Sequence, residues 1–342
     1  MTATARPGGV TRAATTGEDR RMWAVVQREY GTADVLHVDR IDPPTIAADE
    51  VLVAVHAAGL DRGTWHLMTG APYGARLASG LLAPRNPVPG TDLAGVVASI
   101  GSSVTRFQIG DEVYGVGRGS FAQFAAARES KLSMKPSGLP FEQAAAVPVS
   151  ALTAQQGLID VGRLQSGQQV LITGASGGVG TYAVQIAKAY GATVTGVCST
   201  AKVDVVRSLG ADHVIDYTCD DFAESDRRYD LILDVAGSAS LARLRRVLAE
   251  RGTLVIAGGE GGGRLLGMGR QLRAAALSPF LRQRLTMFIA KNHHVPLERL
   301  TKLIDEGLVI PTVERAYPLA QAADAMRHLE AGQVRGKVVV TP

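Results

Sequence analysis

The sequence GQQVLITGASGGVGTYAVQIAK, residues 167–188, decides the fold because an apolar strand runs into a glycine-rich turn and then a helix. Residues 170–173 are apolar or β-branched, as in a buried strand. Residues 174–180 contain four glycines, and residues 181–190 carry apolar side chains at helical spacing. A strand, a tight turn and a helix in this order open a βαβ unit. The stretch therefore indicates an α/β protein with a doubly wound parallel sheet.

The small residues of the turn indicate a dinucleotide site. Ala175, Gly177 and Gly180 occupy the three small positions of a G-x-G-x-x-G pattern. They permit a tight turn, close approach of a pyrophosphate to the backbone, and close packing of helix on strand. The helix N-terminus adds unpaired N–H groups and partial positive charge. A glycine turn without a ligand is the alternative. The residues predicted to bind the cofactor here are Ala175, Ser176, Gly177, Gly178, Val179 and Gly180.

The end of the next strand, residues 193–197, indicates which dinucleotide is bound. NAD sites place an acidic residue there to hold the ribose 2′-hydroxyl, but this chain has Cys198, Ser199 and Thr200. Ser199 and Thr200 can donate hydrogen bonds to a 2′-phosphate, and Lys202 adds a cation. The pattern predicts NADPH. The alternative is that these residues only cap a helix, which is compatible with either cofactor.

Strands and helices alternate around this turn, whereas the chain before it is rich in strands. From residue 22 to about 148 the sequence predicts short strands separated by Gly and Pro, typical of a compact β-barrel. These strands are predicted at residues 22–27, 50–57, 96–100, 112–115 and 121–126. Further on, we expect helices at 141–147, 150–160, 178–190, 201–209 and 239–249, and strands at 169–173, 193–197, 213–215, 230–233 and 253–257.

Residues 258–292 interrupt the alternation. Five glycines between 258 and 263 predict a loop, and the basic amphipathic stretch 270–284 predicts a helix over the cleft or at a subunit interface. A helix on a membrane surface is the alternative. A helix after Pro296, a second helix at 320–331 and a strand at 337–341 close the chain.

Composition limits the classes of protein that fit. A chain of 342 residues suggests two domains, and 36 basic against 32 acidic residues is too mild an excess to indicate nucleic acid. Cys198 and Cys219 cannot form a disulfide framework and fit a reducing cytoplasm. The sequence lacks 18 consecutive apolar residues, so no membrane span is expected. Residues 1–21 lack an apolar signal segment and predict a disordered tail, with a transit peptide as the alternative.

The glycine-rich segment resembles the zinc-less quinone oxidoreductase branch of the medium-chain dehydrogenase/reductase superfamily. The segment PGTDLAGVV at residues 89–97 and the terminal Arg335-Gly336-Lys337 also match that branch. The signature residues are Gly167, Gln168, Leu171, Ala175, Ser176, Gly177, Gly178, Gly180, Gln185 and Lys188. The resemblance covers residues 22–342. It implies a Rossmann domain, 148–289, inserted into a GroES-like β-rich catalytic domain formed by 22–147 and 290–342.

The resemblance also assigns cofactor contacts outside the turn. It places Thr153 near the nicotinamide, and Tyr217 and Lys202 near the adenosine phosphate. Residues at strand ends would line the cofactor path. These further residues are Asp234, Val235, Ala236, Ala257, Gly258 and Gly259, together with Lys337.

Zinc-containing relatives carry a Cys and a Gly-His-Glu as ligands, and these are replaced here. The Cys position is Asp61, the Gly-His-Glu position reads Gly90-Thr91-Asp92, and the third ligand position falls near Val149. Neither thiolate nor imidazole is present, so no metal is expected. The adjacent pair His293-His294 is interpreted as a surface or interface pair.

Without a Lewis acid, carbonyl polarisation must come from hydrogen-bond donors. Asp61 is a candidate for orienting another group, with a turn-forming Asp as the alternative. His66 matches a proton-relay position of the zinc relatives, and Tyr73 is a candidate donor to the substrate oxygen. An ordinary hydrogen-bonded histidine and a packing tyrosine are the respective alternatives. Trp65 and Phe280 are candidate apolar walls.

The leading hypothesis is therefore an NADPH-dependent reductase of quinones or α,β-unsaturated carbonyls. An enoyl-thioester reductase or biosynthetic tailoring enzyme is the second hypothesis. The third is an NADPH-binding sensor or interaction protein with little catalysis. A small-molecule substrate, no nucleic acid, and a homodimer by resemblance complete the expectation.

Overall fold

The computed structural model describes residues 21–258 and 269–342. The expected tail, apart from Arg21, lies outside the described residues. The strands are β1 (Met22–Val26), β2 (His37–Ile41), β3 (Glu50–Leu60), β4 (Asp92–Ile100), β5 (Glu112–Val116), β6 (Phe124–Arg128), β7 (Leu132–Met134), β8 (Gln169–Thr173), β9 (Thr193–Cys198), β10 (His213–Asp216), β11 (Tyr229–Asp234), β12 (Leu248–Ile256), β13 (Arg284–Met287), β14 (Val313–Pro318) and β15 (Lys337–Thr341). The helices are α1 (Arg62–Thr69), α2 (Arg76–Ser79), α3 (Phe141–Ala145), α4 (Pro148–Gln155), α5 (Gly178–Ala189), α6 (Val203–Ser208), α7 (Leu241–Val247), α8 (Gly269–Leu277), α9 (His294–Asp305) and α10 (Ala322–Glu330).

The second half of the chain forms the parallel sheet that the glycine-rich segment predicts. Its six strands run in the order β10-β9-β8-β11-β12-β13, with every pair parallel. The central strands are fully buried: Val170, Leu171 and Ile172 of β8 are each 0 % exposed. Buried continuous apolar strands are typical of a sheet covered by helices on both faces. The expected doubly wound architecture is confirmed.

The first part of the chain and its last strands form a second, mainly antiparallel sheet. Its strands run in the order β14-β15-β3-β4-β5-β7, and β6 pairs with β3. The final strand β15 lies against β3, where Val339 is paired with Gly59. The chain therefore leaves the GroES-like part, builds the parallel sheet, and returns. We propose domain boundaries at residues 147/148 and 289/290 on this basis.

The prediction of one helix over residues 270–284 is wrong beyond Leu277. Helix α8 stops there because Pro279 lies in a following 3₁₀ turn, and proline cannot continue the backbone hydrogen-bond pattern. The last residue of the expected helix, Arg284, instead begins β13, in which Leu285 is 3 % exposed. This strand was missed because four residues are too short for a clear period. Among the described residues, no helix is long and apolar enough to cross a membrane.

Candidate active site

The glycine-rich turn between β8 and α5 is shaped by close backbone packing. A Cβ added at Gly180 would lie 2.1 Å from the Gly174 carbonyl oxygen, which no real side chain tolerates. A Cβ at Gly177 would meet nothing closer than that same oxygen at 3.4 Å. The two glycines therefore differ. Gly180 is required because the neighbouring backbone leaves no room for a side chain, whereas the backbone at Gly177 faces open space at the start of a helix. Such an arrangement fits a pyrophosphate.

The segment that leads into β15 packs against the glycine-rich turn. The Gly336 amide donates to the Ser176 carbonyl oxygen at 2.9 Å. The Cδ of Lys337 would lie 3.0 Å from a Cβ added at Gly178, so the lysine stem packs against the first turn of α5. Val179, the next residue of that turn, is partly exposed. The segment that leads into β15 thus packs directly on the glycine-rich turn.

The residues predicted to select NADPH lie together at the ends of β9 and β10. Lys202 Nζ donates to the carbonyl oxygens of Gly332 and Val334, both at 2.8 Å, and burial lowers its pKa. The Tyr217 amide donates to the Cys198 carbonyl at 3.0 Å, which places this exposed tyrosine beside the strand end. Ser199 is followed directly by the 3₁₀ turn that carries Thr200.

Two charged residues near this group were missed by the sequence reasoning. Arg335 lies close enough to Lys202 for its positive charge to lower the pKa of the lysine, so a second cation lies near the ends of β9 and β10. The carboxylate of Asp216 accepts hydrogen bonds from Thr218 and from Thr200, which lower its pKa. Asp216 ends β10, whereas an NAD-type acid would lie at the end of β9, and Arg335 lies in the segment that leads into β15. Only the fold brings it to Lys202.

The residues predicted to line the cofactor path lie at the ends of β11 and β12, where the buried carboxylate of Asp234 binds neighbouring side chains. Thr173 Oγ1 donates to Asp234 Oδ1 at 2.7 Å and accepts from the amides of Val235 and Ala236. Arg270 of α8 forms an ion pair with Asp234, which is 0 % exposed. The Asp234 carboxylate therefore already has Thr173 and Arg270 as partners. Only the backbone of this segment would line the predicted cofactor path. Ala257 and Gly258 donate to the Asp234 carbonyl at 3.0 Å; Gly259 lies outside the described residues.

The three predicted catalytic residues lie on α1 and the segment that follows it. Asp61 caps α1, with Oδ1 accepting from the Thr64 amide at 2.7 Å, so the turn-forming alternative also applies. His66 Nδ1 lies 2.7 Å from the Ala71 carbonyl oxygen, which requires a proton on Nδ1 and leaves Nε2 free as the second ring nitrogen. Tyr73 is 45 % exposed and stacks beneath Arg76 at 4.8 Å.

Trp65 and Phe280, predicted as apolar walls, and Thr153, predicted to lie near the nicotinamide, differ in how far they are buried. Thr153 is partly exposed on α4, and its hydroxyl donates to the Val149 carbonyl at 2.7 Å. Phe280 is 86 % exposed, whereas Trp65 is partly buried beside His66. His294 donates to or accepts from Glu298 at 3.0 Å on α9, away from these residues in sequence. Within residues 21–258 and 269–342, the hydrogen bonds and ring contacts of the histidine pair do not reach the glycine-rich turn.

Asp92, in the segment that resembles the Gly-His-Glu of the zinc relatives, is buried beside Lys337. Asp92 is 0 % exposed, and its Oδ1 accepts from the Val149 amide at 3.2 Å. Lys337 Nζ lies 3.6 Å from Asp92 Oδ2 and donates to Ser150 Oγ at 3.0 Å. Burial raises the pKa of Asp92 to about 8, although the nearby ammonium opposes this and Asp61 adds to it. In the sequence, Asp92 and Val149 were matched only as vacated zinc positions, and Lys337 was predicted as a cofactor contact.

This donor set does not fit zinc. Val149 offers no side-chain ligand, Asp61 is used as a helix cap, and an ammonium group lies where a metal cation would be repelled. In the described ranges, no group of three His, Cys, Asp or Glu side chains is arranged to hold a metal ion. The fold and this site together define a dinucleotide-binding oxidoreductase with a GroES-like domain.

Comparison with known proteins identifies the family. The chain matches the alcohol dehydrogenase GroES-like domain over residues 47–137 and the zinc-binding dehydrogenase model over residues 209–340. It is 34 % identical to the chloroplastic NADPH-dependent alkenal/one oxidoreductase of Arabidopsis thaliana, covering 97 % of this chain and 82 % of the relative. It is 32 % identical to a chloroplast envelope quinone oxidoreductase homolog of the same plant, covering 94 % and 98 %.

The solved structures agree with the sequence comparison. The quinone oxidoreductase from Coxiella burnetii superposes with a TM-score of 0.84 at 27 % identity, covering 94 % of this chain and 99 % of that one. The chain belongs to the medium-chain dehydrogenase/reductase superfamily, in its quinone oxidoreductase branch.

Proposed function

We propose that the protein is a zinc-independent, NADPH-dependent reductase that transfers hydride to a quinone or an α,β-unsaturated carbonyl. The observation that carries the proposal is the Lys337–Asp92 pair: Asp92 lies in the segment that matches the Gly-His-Glu of the zinc relatives, and the stem of Lys337 packs on the glycine-rich turn. A site arranged in this way favours hydride chemistry without a Lewis acid. The two relatives reported above are named for alkenal/one and quinone reduction.

The cofactor fits the turn through its phosphates. The backbone at Gly177 would hold the pyrophosphate, and the cations Lys202 and Arg335 would face the 2′-phosphate with the Ser199 hydroxyl. The Thr200 hydroxyl would join them by exchanging its hydrogen bond to Asp216 for one to the phosphate. When bound, NADPH supplies a hydride from C4 of its nicotinamide. A carboxylate at the end of β9 would repel a 2′-phosphate, and Cys198 stands there instead.

The protein's own groups would then manage the charge that develops on the substrate oxygen. Hydride addition to the β-carbon of an enone leaves an enolate that needs a hydrogen-bond donor and finally a proton. The exposed phenol of Tyr73 is one donor proposed for this oxygen, and His66 is the other, through Nε2 in the imidazolium form that carries a proton on both ring nitrogens. Simple carbonyl reduction lacks this conjugation and is expected to be slower.

Assembly and location complete the proposal. Strand β13 is an edge strand of the parallel sheet, and one of its two sides has no partner strand among the described residues. This supports a homodimer in which the β13 strands of two subunits pair. A cytoplasmic location is proposed from the low cysteine content, although the names of the plant relatives place them in the chloroplast.

The experiment that tests the function follows NADPH absorbance with a panel of quinones, enones and enoyl thioesters, with NADH in parallel. Turnover of quinones or enones with NADPH, unchanged after dialysis against a chelator, is expected. Preference for enoyl thioesters would support the second hypothesis. Tight NADPH binding without turnover of any compound would support a sensor and contradict the proposal.

A further inference from the structure

The parallel sheet has a topological switch point between β8 and β11. Its strand order, β10-β9-β8-β11-β12-β13, places β9 and β10 on one side of β8 and the later strands on the other. In open parallel sheets, ligands bind in the crevice at the carboxyl ends of the strands beside such a point. The residues there are Thr173 and Asp234, which end β8 and β11 and are paired in register.

One buried carboxylate and one arginine tie the elements at this point together. Asp234 is 0 % exposed; its Oδ1 accepts from Thr173 Oγ1 at 2.7 Å, and its Oδ2 accepts from Arg270 of α8. The same guanidinium group donates to the Ala239 carbonyl oxygen at 2.7 Å and to the Gly258 carbonyl oxygen at 3.4 Å. Arg270 therefore joins α8 to the segments that follow both β11 and β12.

The backbone after β11 is packed closely against the residues around it. The amides of Val235 and Ala236 donate to Thr173 Oγ1 at 3.1 and 3.2 Å. A Cβ added at Gly258 would lie 2.0 Å from the Val235 carbonyl oxygen, and one at Gly174 would lie 3.1 Å from the Ala236 nitrogen. Because Gly174 begins the glycine-rich turn, a shift of residues 235–236 would change the crevice wall relative to that turn.

The same strand order divides a bound dinucleotide into two halves. In the proposed function the turn after β8 holds the pyrophosphate, and Lys202 and Arg335 face the adenosine phosphate near the ends of β9 and β10. The nicotinamide half then extends to the other side of β8, over the ends of β11 and β12. The segments that follow these two strands are the ones that Arg270 binds.

We propose that Arg270 is a positioning residue for the nicotinamide half of the dinucleotide, because its ion pair with Asp234 fixes the backbone at the ends of β11 and β12. The inference rests on the proposed function only in requiring that a nicotinamide dinucleotide binds this crevice. The planar fork of an arginine reaches a carboxylate and two carbonyl oxygens at once, whereas a lysine offers a single ammonium group. The substrate plays no part in this inference.

The test compares two ligands by calorimetry: NADPH, and adenosine 2′,5′-bisphosphate, which lacks the nicotinamide half. In Arg270→Met we expect Kd for NADPH to rise roughly tenfold and Kd for the bisphosphate to stay within about twofold, because only the nicotinamide side loses its charged hydrogen bonds. The fluorescence of the bound nicotinamide is expected to shift toward that of free NADPH. Arg270→Lys is expected to recover part of the NADPH affinity.

Two controls separate this role from other uses of a cation. Arg273→Met removes an exposed arginine from the same helix, α8, and is expected to change Kd for neither ligand. Lys202→Met removes a cation on the adenosine side and is expected to weaken both ligands. Only Arg270→Met is then expected to distinguish NADPH from the bisphosphate.

Arg270→Met also leaves the buried Asp234 carboxylate without its cation, which is expected to lower the melting temperature. The double variant Arg270→Met with Asp234→Asn removes both charges. Its melting temperature is expected to recover, while its NADPH binding stays weak.

If the double variant binds NADPH as the wild type does, the effect is one of stability and the inference is overturned. The same holds if Arg270→Met leaves NADPH affinity unchanged or weakens both ligands equally; the proposed function stands in each case. If NADPH does not bind the wild type, the proposed cofactor and this inference both fail.

Discussion

The glycine-rich turn and the Lys337–Asp92 pair are adjacent, yet they are built in opposite ways. The turn is a local structure in which backbone atoms and missing side chains make the site. The pair is assembled from side chains on β4 and β15, with α4 providing the Val149 amide and the Ser150 hydroxyl. Binding at the turn should depend on steric space, whereas stability at the pair should depend on protonation.

The largest expected effect concerns the two glycines of the turn. Gly180→Ala places a Cβ 2.1 Å from a backbone oxygen, so the turn must shift; we expect a stability loss of about 1–3 kcal/mol and loss of dinucleotide binding. Gly177→Ala has room in the free protein. Its melting temperature is expected to stay unchanged, while Kd rises by roughly a hundredfold, or about 3 kcal/mol, because backbone contacts to phosphate are blocked.

Thermal melting and fluorescence titration of the two variants check this contrast. Gly269→Ala is the matched control, because an added Cβ there meets nothing within 4 Å. Unchanged NADPH affinity in Gly177→Ala would place the pyrophosphate elsewhere and would remove the main support for the cofactor site.

The next effect concerns stability at the buried pair. Because burial raises the folded-state pKa of Asp92 from 3.8 to about 8, folding is favoured while the group is protonated and loses stability as the pH rises from about 4 to about 8. Asp92→Asn removes this loss. We expect its stability relative to the wild type to increase with pH over that range, by up to about 1.4 kcal/mol per pH unit.

Urea unfolding of Asp92→Asn and wild type at pH 5, 6, 7 and 8 measures this difference. Asp204→Asn is the control, since the Asp204 side chain is 99 % exposed and its removal should leave the pH dependence unaltered. A constant difference between Asp92→Asn and wild type at all four pH values would show that Asp92 ionises freely in the folded protein.

The contrast between the two regions also explains what could be predicted from the sequence. The turn, the flanking β8 and α5, and the vacated zinc positions were predictable because each depends on neighbouring residues or on one matched position. The pairing of Asp92 with Lys337 was not predictable, because β15 reaches β3 and β4 only after the whole parallel sheet has been inserted. Arg335 beside Lys202 was missed for the same reason.

Two other differences have local causes. A helix was predicted through residue 284 because the amphipathic spacing of residues 270–284 was given more weight than Pro279, but helix α8 ends at Leu277. Asp234 was predicted to line the cofactor path, but its carboxylate is engaged by Thr173 and Arg270. A carboxyl group at a strand end serves equally well to tie neighbouring elements together, and no sequence pattern distinguishes the two uses.

The smallest expected effects concern proton donation by His66 and Tyr73. These residues belong neither to the glycine-rich turn nor to the Lys337–Asp92 pair. His66→Ala removes the free Nε2, and Tyr73→Phe removes one exposed hydroxyl group. Water can replace either donor, so we expect kcat for enone reduction to fall by about tenfold or less for each, below the usual contribution of a general acid, with KM nearly unchanged. Steady-state kinetics with solvent isotope effects measures this.

His37→Ala and Tyr190→Phe are suitable controls, because these exposed residues lie on β2 and directly after α5, in parts of the chain with no predicted catalytic role. A larger solvent isotope effect in His66→Ala or Tyr73→Phe than in the controls would show that proton transfer has become slower. Unchanged kcat in both variants would mean that neither side chain donates to the enolate, and would leave solvent in the cleft as the acid.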